Sequence, residues 1–152
     1  MGRCNSRIGL AFAALALVGA VGQGFAAERP FKLSGQGTLL FNPEVTPSGP
    51  FTAAGHATHL GAWENLGNIT FVEIGPGLLA ADGDVTFWAA NGDRLEMALE
   101  GVLDRNTGRA TGTFVITGGT GRFTDAEGTL RMVLDQAPDG SFAFTLDGGI
   151  DY

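Results

Sequence analysis

Apolar and polar side chains alternate along most of the chain from residue 33 onward, and this period of two constrains the fold more than any other feature. A strand with this alternation presents one apolar face and one polar face. No segment after residue 27 shows a convincing helical period. The alternation predicts strands over residues 33–41, 51–60, 68–74, 84–90, 94–103, 110–117, 129–135 and 141–147.

Strands of this kind must cover their apolar faces and also deal with two unpaired edges. A sheet that closes on itself does both, and the short predicted turns suit up-and-down connections. The predicted fold is therefore all-β, a small closed antiparallel barrel of about eight strands. A two-sheet β-sandwich is the alternative that the same pattern leaves open.

Glycine-containing motifs mark the predicted turns between these strands. Asn91-Gly92 is the strongest short hairpin signal in the chain. Asn65-Leu66-Gly67 predicts a second hairpin turn, between the second and third strands. Asp82-Gly83-Asp84 has too few ligands for a calcium loop and is interpreted as a further turn.

The densest glycine motif follows the predicted strand that ends at Thr117. Three glycines within four residues allow the chain to turn sharply. No Lys-Ser/Thr pair follows, so the motif is not a phosphate loop. We expect Arg122 to bond turn carbonyls and Phe123 to anchor the turn in the core. The predicted structural turn consists of Gly118, Gly119, Gly121, Arg122 and Phe123.

The first 27 residues have the layout of a secretory signal peptide. Arg3 and Arg7 precede an apolar run over residues 8–21, and small residues follow at 24–27. The run is shorter than the ~20 residues of a spanning helix, so a membrane anchor is the less favoured alternative. The predicted organisation is a removed peptide over 1–27 and one β-barrel domain over 28–152. The predicted location is secreted or periplasmic, with bacterial-type export.

Charge and cysteine content restrict the functions of the exported domain. Loss of Arg3 and Arg7 leaves seven basic residues against sixteen acidic ones, a formal charge of −9. That balance disfavours binding to nucleic acid phosphates. The single cysteine, Cys4, leaves with the peptide. Disulfides and thiol catalysis are therefore excluded for residues 28–152.

His59 and Glu73 are the candidate catalytic pair. Alternation places His59 on the inward face of its strand and Glu73 on the inward face of the next. If the hairpin centres on Leu66, the two side chains lie directly opposite each other, with Cβ atoms roughly 4.5–5.5 Å apart. Such a pair could transfer a proton or hold a polar ligand. A structural pair near the barrel mouth is the alternative interpretation.

Two tryptophans complete the set of candidate binding residues. Trp63 is grouped with His59 and Glu73 as a candidate ligand contact, although core packing explains it equally well. The orientation of Trp88 stays open, because the two strands joined at Asn91-Gly92 can pair with either Trp88 or Phe87 beside Leu95. An outward Trp88 would be a candidate for a subunit interface. The two histidines are three residues apart and no metal-ligand cluster accompanies them, so we expect no metal and no cofactor.

The segment Gly118–Phe123, followed by Ala126-Glu127-Gly128, resembles the allene oxide cyclase and dirigent barrel superfamily. Residues 55–61 and 87–93 also resemble uncharacterised exported bacterial proteins with that barrel. The resemblance implies an eight-stranded barrel, often oligomeric, with an apolar cavity and no cofactor. The cavity carboxylates of dirigent proteins and cyclases have no matching positions here, so neither activity carries over.

Three functions remain open from the sequence. The first is an exported barrel without catalytic activity that binds a small apolar ligand or a protein partner. The second is a cofactor-free isomerase or cyclase that uses His59 and Glu73. The third is an envelope-associated structural protein with a filled barrel. The volume of the barrel interior separates the third from the first two.

Overall fold

The computed structural model describes residues 28–152. Eight strands and one short 3₁₀ helix form the fold, and the signal peptide predicted over 1–27 lies outside the described residues. The strands are β1 (Arg29–Leu39), β2 (Ser48–Ala57), β3 (Gly61–Gly75), β4 (Leu78–Ala89), β5 (Arg94–Asp104), β6 (Arg109–Gly119), β7 (Glu127–Gln136) and β8 (Ser141–Asp151). The 3₁₀ helix, Gly121–Phe123, lies between β6 and β7.

The sheet is closed, and its strands follow chain order around the barrel. Every neighbouring pair is antiparallel, and β1 pairs with β8, for example Leu33 with Leu146. This pairing removes both sheet edges. The prediction of a closed antiparallel barrel is confirmed, and the sandwich alternative is wrong.

The predicted hairpin turn at Asn65-Leu66-Gly67 is wrong, because these residues lie inside β3. The turn between β2 and β3 is at residues 58–60, where Ala57 pairs with Gly61. Gly67 pairs with Phe51, and a side chain on this glycine would collide with the Phe51 ring. The glycine therefore makes room for an aromatic ring inside the barrel, a need that a local sequence motif does not distinguish from a turn.

Asp82-Gly83-Asp84 is likewise a strand segment and not a turn. It lies within β4, where Gly83 pairs with Ile69 and a side chain on this glycine would collide with the backbone of β3. On the same strand, Phe87 pairs with Leu95 and is buried. Trp88 pairs with Arg94 and is 39 % exposed, so the open register question is decided in favour of an inward Phe87 and an outward Trp88.

Aromatic side chains fill much of the barrel interior. Trp63 packs edge-on against Phe87, with ring centroids 5.0 Å apart, and lies 5.9 Å from Phe144. Its ring occupies the space in front of the paired glycines Gly35 and Gly55, where added Cβ atoms would overlap it. Small residues on β1 and β2 thus accommodate a large ring, and they leave little empty volume at this level of the barrel.

The two ends of the barrel differ in how they are covered. The open end carries the connections at residues 40–47, 76–77, 105–108 and 137–140. The closed end carries the turns at residues 58–60, 90–93 and 120–126, together with residue 28 and Tyr152. Among the residues described, no helix has the length and apolar character needed to cross a membrane.

Candidate functional site

His59 and Glu73 do not form a pair. His59 lies in the turn at the closed end, whereas Glu73 pairs with Leu79 near the other end of β3 and is exposed. Twelve residues separate Glu73 from Gly61 at the start of β3, roughly 40 Å along a strand that rises about 3.3 Å per residue. The predicted opposition is wrong because it depended on the hairpin turn at Leu66. Glu73 shares the face of Phe71 and the buried Leu79, as expected, but it is solvent-exposed near the end of the strand rather than enclosed in the barrel.

His59 instead connects parts of the closed end. Its Nε2 lies 2.8 Å from the Pro30 carbonyl and its Nδ1 lies 3.1 Å from the Tyr152 hydroxyl. Because a carbonyl can only accept, Nε2–H donates and Nδ1 of the neutral ring accepts from Tyr152. The ring also packs edge-on against Phe31. These contacts tie the start of β1 to Tyr152, which follows β8, and they give His59 a structural role at the closed end.

The glycine-rich turn covers the same end. Gly121 has φ +59°, a conformation that favours glycine, and a side chain there would collide with Asp93. Arg122 donates to the His59 carbonyl and lies 3.6 Å from the Asp93 carboxylate. Phe123 is fully buried, and its ring centroid is 5.1 Å from that of Tyr152. The turn therefore closes the barrel with a network of contacts.

An apolar cavity of about 70 Å³ lies inside the barrel towards the open end. We call it the lumen cavity. On β3 its lining extends from Asn65 at the deep end to Phe71 near the open end. Phe51, Phe114 and Phe142 contribute aromatic walls, and Asn65 is the only lining polar residue that is fully buried among those described. The cavity is smaller than the ~300–1,000 Å³ typical of sites for drug-sized ligands.

The lumen cavity adjoins a wider depression at the open end, which we call the mouth. The mouth has a volume of about 730 Å³ and shares four lining residues with the cavity, so the two spaces are adjacent. Its rim is polar and is formed by the connections between the strands. The shared residues are Leu39, Phe71, Leu103 and Gln136.

Asn65 is a functional candidate that the sequence reasoning missed. Its side chain is 3 % exposed, and Oδ1 has no hydrogen-bond partner among the described residues. The buried Trp63 Nε1 also has none, but Trp63 does not line the cavity. Buried polar atoms are normally paired, so the unpaired Asn65 Oδ1 beside the cavity is a candidate contact for a polar group of a ligand. Asn65 lies an even number of positions from Trp63, Ile69 and Phe71, so on a continuous strand the alternation would have predicted that it points inward.

Within residues 28–152, no group of three or more histidine and acidic side chains is arranged to hold a metal ion. The interior of the barrel also lacks buried charged residues in this part of the chain. The arrangement is therefore suited to binding an uncharged molecule by apolar contact.

Asp139 organises the rim of the mouth through the turn between β7 and β8. Its Oδ1 accepts hydrogen bonds from the Ser141 hydroxyl, at 2.5 Å, and from the Ser141 backbone N–H, at 2.9 Å. These bonds favour the ionised carboxylate and hold the pKa of Asp139 below its usual value. The resulting stabilisation is present above the unfolded-state pKa and is lost as the pH falls through the lower folded-state pKa.

We expect Ser141→Ala to raise the pKa of Asp139 towards its ordinary value, because the hydroxyl bond is its largest cause of lowering. A carbon-13 NMR titration of the side-chain carboxyl measures the change directly. Asp147, an exposed aspartate on β8, serves as the reference group in the same titration. An unchanged titration of Asp139 would show that the Ser141 hydroxyl does not bond to the carboxylate in solution.

Comparison with known proteins gives information on the fold. No protein-family model matches the chain, and no curated protein matches it. Among solved structures, the pterocarpan synthase dirigent protein GePTS1 is similar, with a TM-score of 0.50 and 14 % identity over 82 % of this chain and 86 % of that one. This similarity confirms the dirigent-like barrel fold. Membership of the allene oxide cyclase superfamily stays a prediction.

Proposed function

We propose that this protein binds a small, largely apolar molecule at the open end of its barrel. The supporting observation is that the apolar lumen cavity adjoins the mouth, with four lining residues in common. Burial of apolar ligand surface stabilises a complex by roughly 25 cal/mol per Å² before the costs of association. Since the enclosed cavity has only about 70 Å³, the leading end of the ligand enters it and the remainder lies in the mouth.

The arrangement of His59 and Glu73 argues for binding rather than for isomerase or cyclase chemistry through that pair. The His59 side chain connects elements at the closed end, and the Glu73 side chain is solvent-exposed near the opposite end. The name of the similar dirigent protein describes a pterocarpan synthase. For this chain the proposal is limited to ligand binding, which the apolar lining supports.

We also propose that the protein acts outside the cytoplasm. The basis is the sequence of residues 1–27, with its basic start, apolar run and small residues. Purification of the mature form from the host periplasm or medium, followed by N-terminal sequencing, tests this proposal. A mature chain that begins near Glu28 is expected, and retention of Met1 in the cytoplasm would contradict it.

Native mass spectrometry of the protein purified from its own host tests the proposed binding. We expect a small molecule that stays bound under gentle conditions and leaves on denaturation. A filled barrel would instead give the mass of the chain alone, and that result would reject the proposal. The same spectrum gives the stoichiometry and so tests whether the chain forms a homo-oligomer, as the resemblance implies.

Ala81→Leu is expected to lower ligand occupancy about tenfold or more, because the larger side chain overfills the lumen cavity that Ala81 lines. Ala98→Leu is the matched control, since Ala98 is exposed on β5. Occupancy is measured from the ratio of bound to free masses for each purified variant. Equal occupancy in Ala81→Leu and Ala98→Leu would place the ligand outside the lumen.

A further inference from the structure

We infer that the lumen ligand is an unbranched aliphatic alcohol that enters hydroxyl first and hydrogen-bonds to the Asn65 side-chain amide. This inference rests on the proposed function and specifies its ligand class. It combines the polarity of the deep end of the cavity with the size of the enclosed space.

The deep end of the cavity has one polar side chain that lacks a partner. Asn65 Oδ1 is buried without a hydrogen bond among the described residues, while the Asn65 backbone carbonyl already accepts from the Thr52 hydroxyl at 2.8 Å. A buried water makes about three hydrogen bonds, more than the lining side chains at this depth offer. A ligand hydroxyl attached to an apolar chain needs only one such partner, because apolar walls receive the rest of the molecule.

The volume of the lumen cavity restricts the shape of the part of the ligand that enters it. The lumen cavity, at about 70 Å³, has about half the ~150 Å³ volume of an engineered apolar cavity that admits benzene. An aromatic ring would therefore have to displace wall side chains, whereas an alkyl chain is narrow enough to enter. The lining of β3 runs over six residues from Asn65 to Phe71, roughly 20 Å of strand. The methylenes next to the hydroxyl thus occupy the enclosed space, and the rest of a longer chain extends towards the mouth.

The polar Asn65 side chain at the deep end of the lumen cavity explains why the ligand enters hydroxyl first. The hydroxyl loses its hydration on entry and needs a hydrogen-bond partner inside the barrel. The Asn65 amide supplies either a donor or an acceptor, and a hydroxyl can match both. The alkyl chain then contacts Phe51, Phe114 and Phe142 along the cavity.

Titration of the protein with octanol and with octane tests the inference. Octanol should shift the Asn65 side-chain amide signals in nitrogen-15 NMR spectra, because its hydroxyl bonds to that group. Asn65→Leu should weaken octanol binding about tenfold without weakening octane binding, since only the alcohol uses the hydrogen bond. Asn68→Leu, on the exposed face of the same strand, should change neither affinity.

Each contrary result has a distinct meaning. An Asn65 signal that does not move when octanol binds to the unchanged protein overturns the orientation, and this measurement does not depend on folding of any variant. Equal weakening of octanol and octane by Asn65→Leu overturns the hydrogen bond. Tighter binding of naphthol than of octanol overturns the aliphatic class. If neither aliphatic probe binds but native mass spectrometry finds another bound molecule, this inference fails and the proposed function stands.

Discussion

Phe123→Ala is expected to lower the free energy of unfolding by about 3–5 kcal/mol, a typical cost for removing a buried phenylalanine. The Phe123 side chain is fully buried, its ring lies 5.1 Å from that of Tyr152, and Arg122 lies over it at 4.7 Å. Loss of the ring leaves a cavity beneath the turn that covers the closed end. Small domains have only about 5–15 kcal/mol of stability, so the variant would lose a large part of it.

Equilibrium unfolding in urea, followed by circular dichroism, measures the effect. Val115→Ala is the control, because Val115 is exposed on β6 and its truncation should change the free energy of unfolding by less than about 0.5 kcal/mol. A loss below about 1 kcal/mol for Phe123→Ala would show that the closed end unfolds separately from the barrel.

Trp63→Ala is expected to be similarly severe, with a loss of about 3–5 kcal/mol. The ring packs between Phe87 and Phe144 and lies over Gly35 and Gly55. Because those glycines have no side chains that could move into the space, the cavity would stay open after truncation. This lack of relaxation places the expected cost towards the upper end of the range.

Trp88→Ala is the matched control for Trp63→Ala, since Trp88 lies on the outer face of β4 and is 39 % exposed. Truncation of Trp88 should lower the free energy of unfolding by less than about 1 kcal/mol. The same denaturant titrations compare the two variants. If Trp63→Ala is as mild as Trp88→Ala, the aromatic layer at this level is not required for stability. Trp63 would then have to be reconsidered as a ligand contact.

The wrong position predicted for the turn between β2 and β3 also made the prediction of the candidate site wrong. Centring the hairpin on Leu66 placed His59 opposite Glu73, whereas the turn at residues 58–60 separates them by most of the length of β3. The same error assigned Asn65 to a turn and so removed it from consideration as a lumen residue. The inward position of Asn65 follows from its parity with Trp63 and Phe71 once β3 is continuous.

Alternation alone determined that the chain is all-β, because a period of two is a local property, and the need to cover one face of each strand favoured a closed barrel over a sandwich. Phe114, Leu130 and Phe144 lie on the apolar faces of these alternating segments, and all three are buried. The resemblance at Gly118–Phe123 supplied the barrel type, which the structural similarity to a dirigent protein supports as a fold.

The register, the lumen cavity and the role of individual glycines depend on contacts between distant strands. Gly67 occurs in a motif typical of turns, yet it is buried beneath the ring of Phe51, sixteen positions earlier in the chain. Glycine permits both a turn and a close approach, so its local sequence does not distinguish them. The partner of each residue across the sheet decided between these possibilities, and that partner is known only when the barrel is assembled.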